Sequence, residues 1–381
     1  MDIMVIGGGV MGMTCAWQLA KNGADVALFD EGKLGRQASA AALGALWPSS
    51  MLRPGPLQRL HMQSLWSYPA FIEALVNDAQ MPVEYARRGK LEIIKTERQL
   101  TNSIAEAQHA CEAWPPLTSE PGQPYCTAAT MEVLDVAAAR ALEPAIDVGT
   151  FGVQVCNRSA QVQVSQLLAA LAAACRRAGV KVFEDRRLEK IEVAAGGLRV
   201  DCGGGRYEPG KVLLCGGNGI PMISPELASL APIKPVKGQA LLLATDRPII
   251  SHIIKNGAVF LVPWHDGRIL VGSTTEPDAG FDTSNTAQGI EFLTAGAIAT
   301  CPPLAQARIE SIWAGLRPTG PHHQPLMGPL AEMPGVYVCA GHYKVGIGMA
   351  PMAGQLMVNW LMNQKVPEDA MEFIPRPAAR G

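Results

Sequence analysis

The sequence lacks an excess of charge of either sign, and this absence excludes a first group of functions. Its 381 residues include 32 Lys and Arg against 34 Asp and Glu, which gives a formal net charge of −2. Proteins that bind nucleic acids usually carry a broad positive field or a basic stripe. We therefore expect no nucleic-acid partner.

Long hydrophobic runs are also missing. The longest strongly apolar stretches, such as LLAALAAAC at 167–175, are far shorter than the about 20 residues that a membrane-spanning helix needs. The first residues run directly into a structural motif, without a basic segment or a small-residue cleavage site. We expect no transmembrane segment and no signal peptide.

Cysteine is present but follows no pattern. The nine cysteines are scattered and odd in number, and no two of them form a CxxC pair. Disulfide frameworks and zinc sites have regular spacings that are absent here. The adjacent His322 and His323 have no evident third ligand either. We expect buried, reduced thiols in a cytoplasmic protein and no metal site.

The chain is too long for one ordinary hydrophobic core. Hydrophobic residues make up 48% of it and charged residues 17%, which is typical of a globular protein. The length predicts two domains, or one domain with a large insertion.

The N-terminal segment MDIMVIGGGVMGMTCAWQLAKNGADVALFDEG contains a complete dinucleotide-binding pattern. A short buried strand at 2–6 precedes Gly7, Gly9 and Gly12, which form GxGxxG. A helical pattern then continues to Gly23, and a second strand at 25–29 ends in Asp30. The glycines allow a tight turn, close approach of a pyrophosphate and close helix packing, while an acid at this distance accepts hydrogen bonds from a ribose.

The next segment favours FAD over NAD. An NAD-type domain would continue into another strand and helix, whereas KLGRQASAAALGAL at 33–46 is small, polar and rich in Ala and Gly. Asp30 disfavours a 2′-phosphate and hence NADP. No second GxGxxG occurs, which argues against an enzyme that needs both FAD and NAD(P)H.

The remaining elements alternate between two kinds of pattern. In residues 164–217 the pattern predicts a helix that ends at Gly179, followed by several strands. In residues 221–312 the segments GQALLLA, VFLVP and RILVGS predict antiparallel strands, and a helix is predicted at about 287–300. We interpret 313–328 as a loop that carries Arg317. A buried strand at 336–339 precedes a turn and a helix that starts near Gly348 or Met349.

Four ordered motifs identify the chain as similar to the FAD-dependent D-amino acid oxidase/glycine oxidase family: GGGVMG, GRQASAAALG, WAGLRP and AGHYKVGIGMAP. The resemblance covers about residues 1–365 and implies an α/β fold. A Rossmann-like FAD-binding domain would comprise 1–45, 150–220 and 325–365. An inserted antiparallel-sheet α+β substrate domain would comprise 46–149 and 221–324, followed by a tail at 366–381.

The resemblance implies that FAD is bound non-covalently, because the loop at 317–328 lacks the cysteine that holds covalent flavin in some members. It also implies a set of cofactor-binding residues along the motifs. These are Gly7, Gly9, Val10, Met11, Gly12, Asp30, Glu31, Ala38, Ser39, Leu43, Gly44, Ala45, Leu188, His342, Tyr343, Lys344, Val345, Gly346, Ile347 and Gly348.

The resemblance also implies the chemistry of the substrate site. Arg317 matches the arginine that binds the substrate carboxylate through its bidentate fork. Phe260, Thr275 and Lys344 would complete the substrate pocket, and they differ from the tyrosine, larger apolar residue and arginine common in the glycine oxidase branch.

The expected reaction is oxidation of the C–N bond of a small amino acid, such as glycine, a D-amino acid, sarcosine or proline, by hydride transfer to the flavin. Oxygen is the expected acceptor. A dehydrogenase that reduces a quinone or a partner protein and a non-catalytic flavoprotein subunit are the alternatives. A homo-oligomer is an open option.

Overall fold

The computed structural model describes residues 1–49, 52, 54–114 and 130–376. Within these ranges the chain forms helices and strands in four sheets. The helices are α1 (Val10–Lys21), α2 (Pro56–Ala79), α3 (Glu97–Ala113), α4 (Val136–Leu142), α5 (Val164–Arg177), α6 (Pro225–Leu230), α7 (Ala287–Thr300) and α8 (Gly346–Leu361). The strands are β1 (Ile3–Ile6), β2 (Val26–Phe29), β3 (Ala45–Leu46), β4 (Tyr85–Ala86), β5 (Lys90–Ile93), β6 (Met131–Leu134), β7 (Val153–Cys156), β8 (Ala160–Val162), β9 (Lys181–Phe183), β10 (Leu188–Ala194), β11 (Gly197–Cys202), β12 (Gly205–Tyr207), β13 (Lys211–Leu214), β14 (Lys234–Ala244), β15 (Ile253–Asn256), β16 (Val259–Pro263), β17 (Arg268–Gly272), β18 (Arg308–Thr319), β19 (Leu326–Pro329) and β20 (Val336–Ala340).

A six-stranded sheet forms the centre of the nucleotide-binding part, in the order β19-β20-β13-β1-β2-β9. All neighbours run parallel except β19 and β20. Ile3 and Val5 face a core shared with α1, α2, α5 and α8, while Met4 and Ile6 face the meander β10-β11-β12. Because both faces are covered, β1 and β2 are apolar at every position, as buried parallel strands are.

An eight-stranded sheet forms the second part, in the order β18-β14-β17-β16-β15-β5-β7-β6. Only β15 and β5 pair in parallel, and the other neighbours are antiparallel. Leu293 and Ala297 of α7 pack on Leu241 and Val271 of this sheet. The predicted α/β class with an added antiparallel sheet is confirmed.

The interpretation of 313–328 as a loop was wrong for its first part. Residues 313–319 belong to β18, which pairs with β14 so that Arg317 lies opposite Val236. Pro318 and the glycines suggested a loop, but β18 is the edge of its sheet, where a missing N–H is tolerated. Arg317 is therefore held by a sheet and not by a flexible connection.

Other predicted boundaries also shift. Strand β7 pairs with β5 and β6 in the eight-stranded sheet, although residues from 150 onward were assigned to the FAD domain. Helix α8 begins at Gly346, two residues before the predicted start.

The segment predicted as a tail packs on the body of the protein as far as the structure describes it. Residues Glu368–Phe373 form a 3-10 helix in which Phe373 is buried. Asp369 accepts hydrogen bonds from the guanidinium of Arg59 at 2.5 and 2.8 Å. Residues 377–381 of the predicted tail lie outside the described residues. None of the described helices is long and apolar enough to cross a membrane.

We predict that Phe373→Ala lowers the free energy of unfolding by about 3–5 kcal/mol, because it leaves a cavity in the core. Urea unfolding of the cofactor-loaded protein measures this loss. Met371→Ala is the matched control, since Met371 lies in the same short helix but is 48% exposed. Equal midpoints for both variants would show that this helix does not contribute to the core.

Candidate active site

The glycine turn after β1 has the geometry that the sequence predicted. Gly7 has φ +106°, a value that side chains rarely adopt. A Cβ atom on Gly12 would lie 1.8 Å from the carbonyl oxygen of Gly7. Only glycine therefore allows α1 to start so close to β1, and the first N–H groups of α1, at Val10, Met11 and Gly12, cluster at this turn.

Polar side chains surround the turn. The hydroxyl of Ser39 accepts a hydrogen bond from the N–H of Val10 at 3.0 Å. The carboxylate of Asp30 accepts hydrogen bonds from the N–H groups of Gly8 and Gly32 at 2.6 and 2.8 Å. Asp30 is thus fixed beside the start of α1 with further lone pairs to offer.

The other predicted cofactor residues of the first half lie around this turn or on the strands next to it. Gly44 has φ +75°, and a Cβ there would lie 2.0 Å from the carbonyl oxygen of Val162. Glu31 is exposed and forms a long ion pair with Arg187 at 3.9 Å. Ala38 lies in the turn that carries Ser39, Ala45 begins β3, and the buried Leu188 begins β10.

The C-terminal motif meets the arginine strand directly. Thr319, the last residue of β18, forms an isolated bridge with His342, and the N–H of Tyr343 donates to the carbonyl of Pro318 at 2.7 Å. Val345 precedes the first turn of α8, which contains Gly346, Ile347 and Gly348. These bonds bring the two sheets together at Arg317.

The guanidinium of Arg317 is bound by oxygen atoms of three residues. Nη1 donates to the carbonyls of Thr274 and Lys237 at 3.1 and 3.3 Å, and Nη2 donates to the hydroxyl of Ser273 at 2.7 Å. No carboxylate of the described residues forms an ion pair with it, and burial lowers the pKa of Arg317 from its ordinary value. A buried cation without a paired acid is costly.

Gly238 makes room for this guanidinium. A Cβ on Gly238 would lie 2.1–2.4 Å from Nη2, Nη1 and Cζ of Arg317. This residue was not predicted from the sequence. The signal was an isolated glycine in the strand pattern GQALLLA, which often indicates close approach of another group.

Lys344 adds a second positive charge to the same place. Its ammonium donates to the hydroxyl of Thr275 at 3.2 Å and lies 5.1 Å from the centre of the Tyr343 ring. Burial and then the nearby Arg317 lower the pKa of Lys344. Within the described residues, neither cation is neutralised by an ion pair with an acid.

An apolar wall lies on the other side of Ser273. The preceding residue, Gly272, pairs with Phe260 on β16, and a Cβ on Gly272 would lie 2.6 Å from Leu43 and 3.0 Å from Phe260. The Phe260 ring contacts the edge of Trp47, with ring centres 5.1 Å apart. Trp47, Leu43 and Phe260 thus form an apolar wall on this side of the site.

A cavity of about 150 Å³ lies between the C-terminal turn and α2, and it is lined by Lys344, Tyr343, His342, His323 and His61 among others. His323 stacks on Tyr343 with ring centres 4.8 Å apart. Burial lowers the pKa of His61 to about 4, so its imidazole is neutral near pH 7. His61 was not predicted, because it lies in none of the four motifs.

The fold also brings together three thiols that are far apart in the sequence. The sulfur atoms of Cys15, Cys215 and Cys339 all lie within 4.8 Å of one another and are buried. They pack beneath the glycine turn, since a Cβ on Gly12 would lie 3.3 Å from Cβ of Cys215. All eight cysteines of the described residues are unpaired, and Cys111 is the one that is exposed.

The residues present fit a flavin dinucleotide. The start of α1 offers N–H groups and a partial positive charge to a pyrophosphate, and Asp30 lies where it can accept bonds from a ribose. The start of α8 offers a second partial positive charge. Next to it, the Nε2 atom of the buried His342 has no hydrogen-bond partner among the described residues.

The glycine turn, the start of α1 and Asp30 define a dinucleotide-binding protein, and a buried arginine lies at the junction of its two sheets. The chain belongs to the family described as FAD dependent oxidoreductase, DAO, whose model matches residues 2–360. FAD is accordingly its cofactor, as predicted. The protein is an enzyme that acts on CH–NH or CH–NH₂ donors.

Curated relatives and solved structures agree with this family over nearly the whole chain. The glycine oxidase of Geobacillus kaustophilus is 28% identical over 98% of this chain and 96% of its own length. Hydrogen cyanide synthase subunit HcnC of Pseudomonas aeruginosa is 29% identical over 99% and 97%. The crystal structure of glycine oxidase from Geobacillus kaustophilus has a TM-score of 0.89 at 26% identity and covers 98% of both chains.

We predict that Asp30→Ala weakens FAD binding, because it removes acceptors for the ribose and loosens the turn that Gly8 and Gly32 complete. Hydrogen bonds to a charged group contribute about 1.5–3 kcal/mol each. Titration of the apoprotein with FAD, followed by flavin fluorescence, measures the change. Glu208→Ala is the control, because Glu208 is exposed and is not among the predicted cofactor residues. An affinity that fell equally in both variants would argue against a specific role for Asp30.

Proposed function

We propose that this enzyme oxidises the C–N bond of an amino acid or N-alkyl amino acid whose carboxylate binds to Arg317, and that oxygen accepts the electrons. The observation that carries the proposal is the buried Arg317 guanidinium, which forms no ion pair with an acid among the described residues and has Lys344 beside it. A planar fork of this kind binds a carboxylate through two parallel hydrogen bonds.

The two cations also favour the reactive form of the amine. A positive charge nearby disfavours the ammonium form of a bound amino acid, and amine oxidation needs the neutral nitrogen. FAD, when bound, accepts the hydride from the carbon that carries this nitrogen. The residues of this chain bind the carboxylate, orient that carbon and exclude water on the side of Phe260.

The overall reaction is balanced as follows. The substrate loses a hydride from carbon and a proton from nitrogen, and becomes an imine. Water adds to the imine and releases an oxo acid together with ammonia or an amine. Oxygen takes up two electrons and two protons and leaves as hydrogen peroxide.

A dehydrogenase of the same fold is the second candidate. It is supported by the relative named hydrogen cyanide synthase subunit HcnC, because a subunit can pass electrons to a partner protein. The carboxylate site would be the same in both cases. The two candidates differ only in the acceptor.

The acceptor and substrate are tested together. We expect bleaching of the yellow holoprotein by amino acids or N-methyl amino acids without oxygen, and stoichiometric hydrogen peroxide when the same substrates are mixed in air. Rapid bleaching with slow reoxidation in air would favour the dehydrogenase. If no amino acid or N-alkyl amino acid bleaches the flavin, the proposed function is wrong.

We predict that Arg317→Ala raises the half-saturating substrate concentration by the equivalent of about 2–5 kcal/mol, because it removes a buried partner of the carboxylate. Arg317→Lys keeps the charge but loses the fork, so its loss should be smaller. Anaerobic flavin reduction at increasing substrate concentration measures both. FAD content should stay unchanged, since the guanidinium contacts the substrate.

Arg308→Ala is the matched control, because Arg308 lies on the same strand with a side chain that is 70% exposed. It should leave half-saturation unchanged. A wild-type value in the Arg317→Ala variant would remove Arg317 from the substrate site.

A further inference from the structure

A second, larger cleft opens beside the proposed amine site. It has a volume of about 300 Å³ and lies between α3 and the eight-stranded sheet. Its walls include Asn102 and Glu106 from the helix and Gln154 from the sheet. Polar side chains therefore line a space that a small amino acid held at Arg317 would not need.

Two lysines and one acid form the charged part of this cleft. The ammonium of Lys90 lies 2.7 Å from one carboxylate oxygen of Glu92, and that of Lys255 lies 2.5 Å from the other. The arrangement follows from the fold, because Lys255 is the parallel-strand partner of Glu92, and Lys90 is two residues away on the same face. Two cations share one anion, which leaves an excess positive charge.

The electrostatics of Glu92 agree with this geometry. Burial alone would raise the pKa of Glu92, but the ammonium groups of Lys90 and Lys255 lower it below its ordinary value. The Lys90 side chain is 7% exposed. The opposite wall carries the carboxylate of Glu106, which accepts a hydrogen bond from the side-chain amide of Gln154 at 2.9 Å. The excess positive charge is thus located at the lysine end of the cleft.

Trp47 connects this cleft to the amine site. Its ring contacts Phe260 on one side, and the Lys90 ammonium lies 5.8 Å from its centre on the other. Ser49 lines both the cleft and the cavity that contains Lys344. A substrate could therefore reach past Trp47 with one end still at Arg317.

We propose that the substrate carries a second anionic group, which binds at Lys90 and Lys255 while its amino acid carboxylate binds at Arg317. This inference rests on the proposed function. Two kinds of molecule have this chemistry: an amino acid with an acidic side chain, and an N-carboxyalkyl amino acid. In both, the oxidised carbon lies between the two carboxylates.

The products distinguish the two kinds of substrate. An acidic amino acid loses hydride and proton, adds water and gives ammonia with a dicarboxylic oxo acid. An N-carboxyalkyl amino acid undergoes the same steps but gives a primary amino acid with a monocarboxylic oxo acid. The flavin takes up the two electrons in either case.

The test compares matched substrates on the holoenzyme without oxygen. The probes are D- and L-glutamate, D- and L-glutamine, N-(carboxymethyl)alanine, its monoamide at the N-carboxymethyl group, and sarcosine. We expect the dianionic member of one pair to reach half-saturation at a concentration about tenfold lower than its amide, which corresponds to about 1.4 kcal/mol. Equal half-saturating concentrations for each dicarboxylate and its amide would overturn the inference. Failure of every probe to bleach the flavin would instead count against the proposed function.

Variants separate the cleft from the amine site. Lys90→Met and Lys255→Met should raise half-saturation for the preferred dianion about tenfold and leave sarcosine unchanged, because only the dianion reaches this end. Asn102→Asp is a second kind of variant, which adds a negative charge to the exposed wall of the cleft and leaves Lys90 and Lys255 unchanged. It should also raise the half-saturating concentration of the dianion. Lys181→Met is the control, because Lys181 is exposed and pairs with Asp25 far from the cleft. Equal effects of the three cleft variants on sarcosine and on the dianion would reject the second anion site.

Discussion

The site depends on the close packing of the Arg317 guanidinium against the backbone of Gly238. The guanidinium fills the space that a side chain at Gly238 would occupy, and it is bound by carbonyls and one hydroxyl instead of an acid. Because β14 and β18 pair over their whole length, the sheet supports the position of this charge. We propose that a bound substrate anion offsets the remaining cost of burying this cation.

The second constraint is the junction between the two sheets. The end of β18 bonds to the turn after β20 through Thr319, His342 and Tyr343. Lys344 follows in that turn, so the same bonds that join the sheets also bring the second cation to Arg317. The start of α8 comes two residues later, and this order places a helix terminus, a carboxylate site and a cavity next to one another.

The parts of this arrangement that could be predicted from the sequence are local. Gly7, Gly12 and Asp30 follow one another within a single strand-helix-strand unit, so their spacing alone indicates the turn that the structure contains. Arg317 was identified through a family motif, but its strand was missed. Gly315 and Pro318 resemble loop residues, and only the position of β18 at the edge of its sheet explains why they are tolerated.

The parts that could not be predicted depend on pairing between distant segments. Lys255 and Glu92 lie next to each other because β15 and β5 pair in parallel. The hydrophobic pattern of a strand does not indicate which other strand it pairs with. Gly238 and Ser273 also contact Arg317 although both are far from it along the chain.

The two proposed anion sites also differ in the atoms that build them. Two main-chain carbonyls and the hydroxyl of Ser273 hold Arg317, and the positions of the carbonyls depend on the fold more than on the side chains around them. The charge of the cleft comes from the side chains of Lys90, Glu92 and Lys255, which single substitutions can change. A protein with this fold can therefore keep one carboxylate site while the neighbouring cleft adapts to different substrates, and we expect substrate range to depend mainly on the cleft.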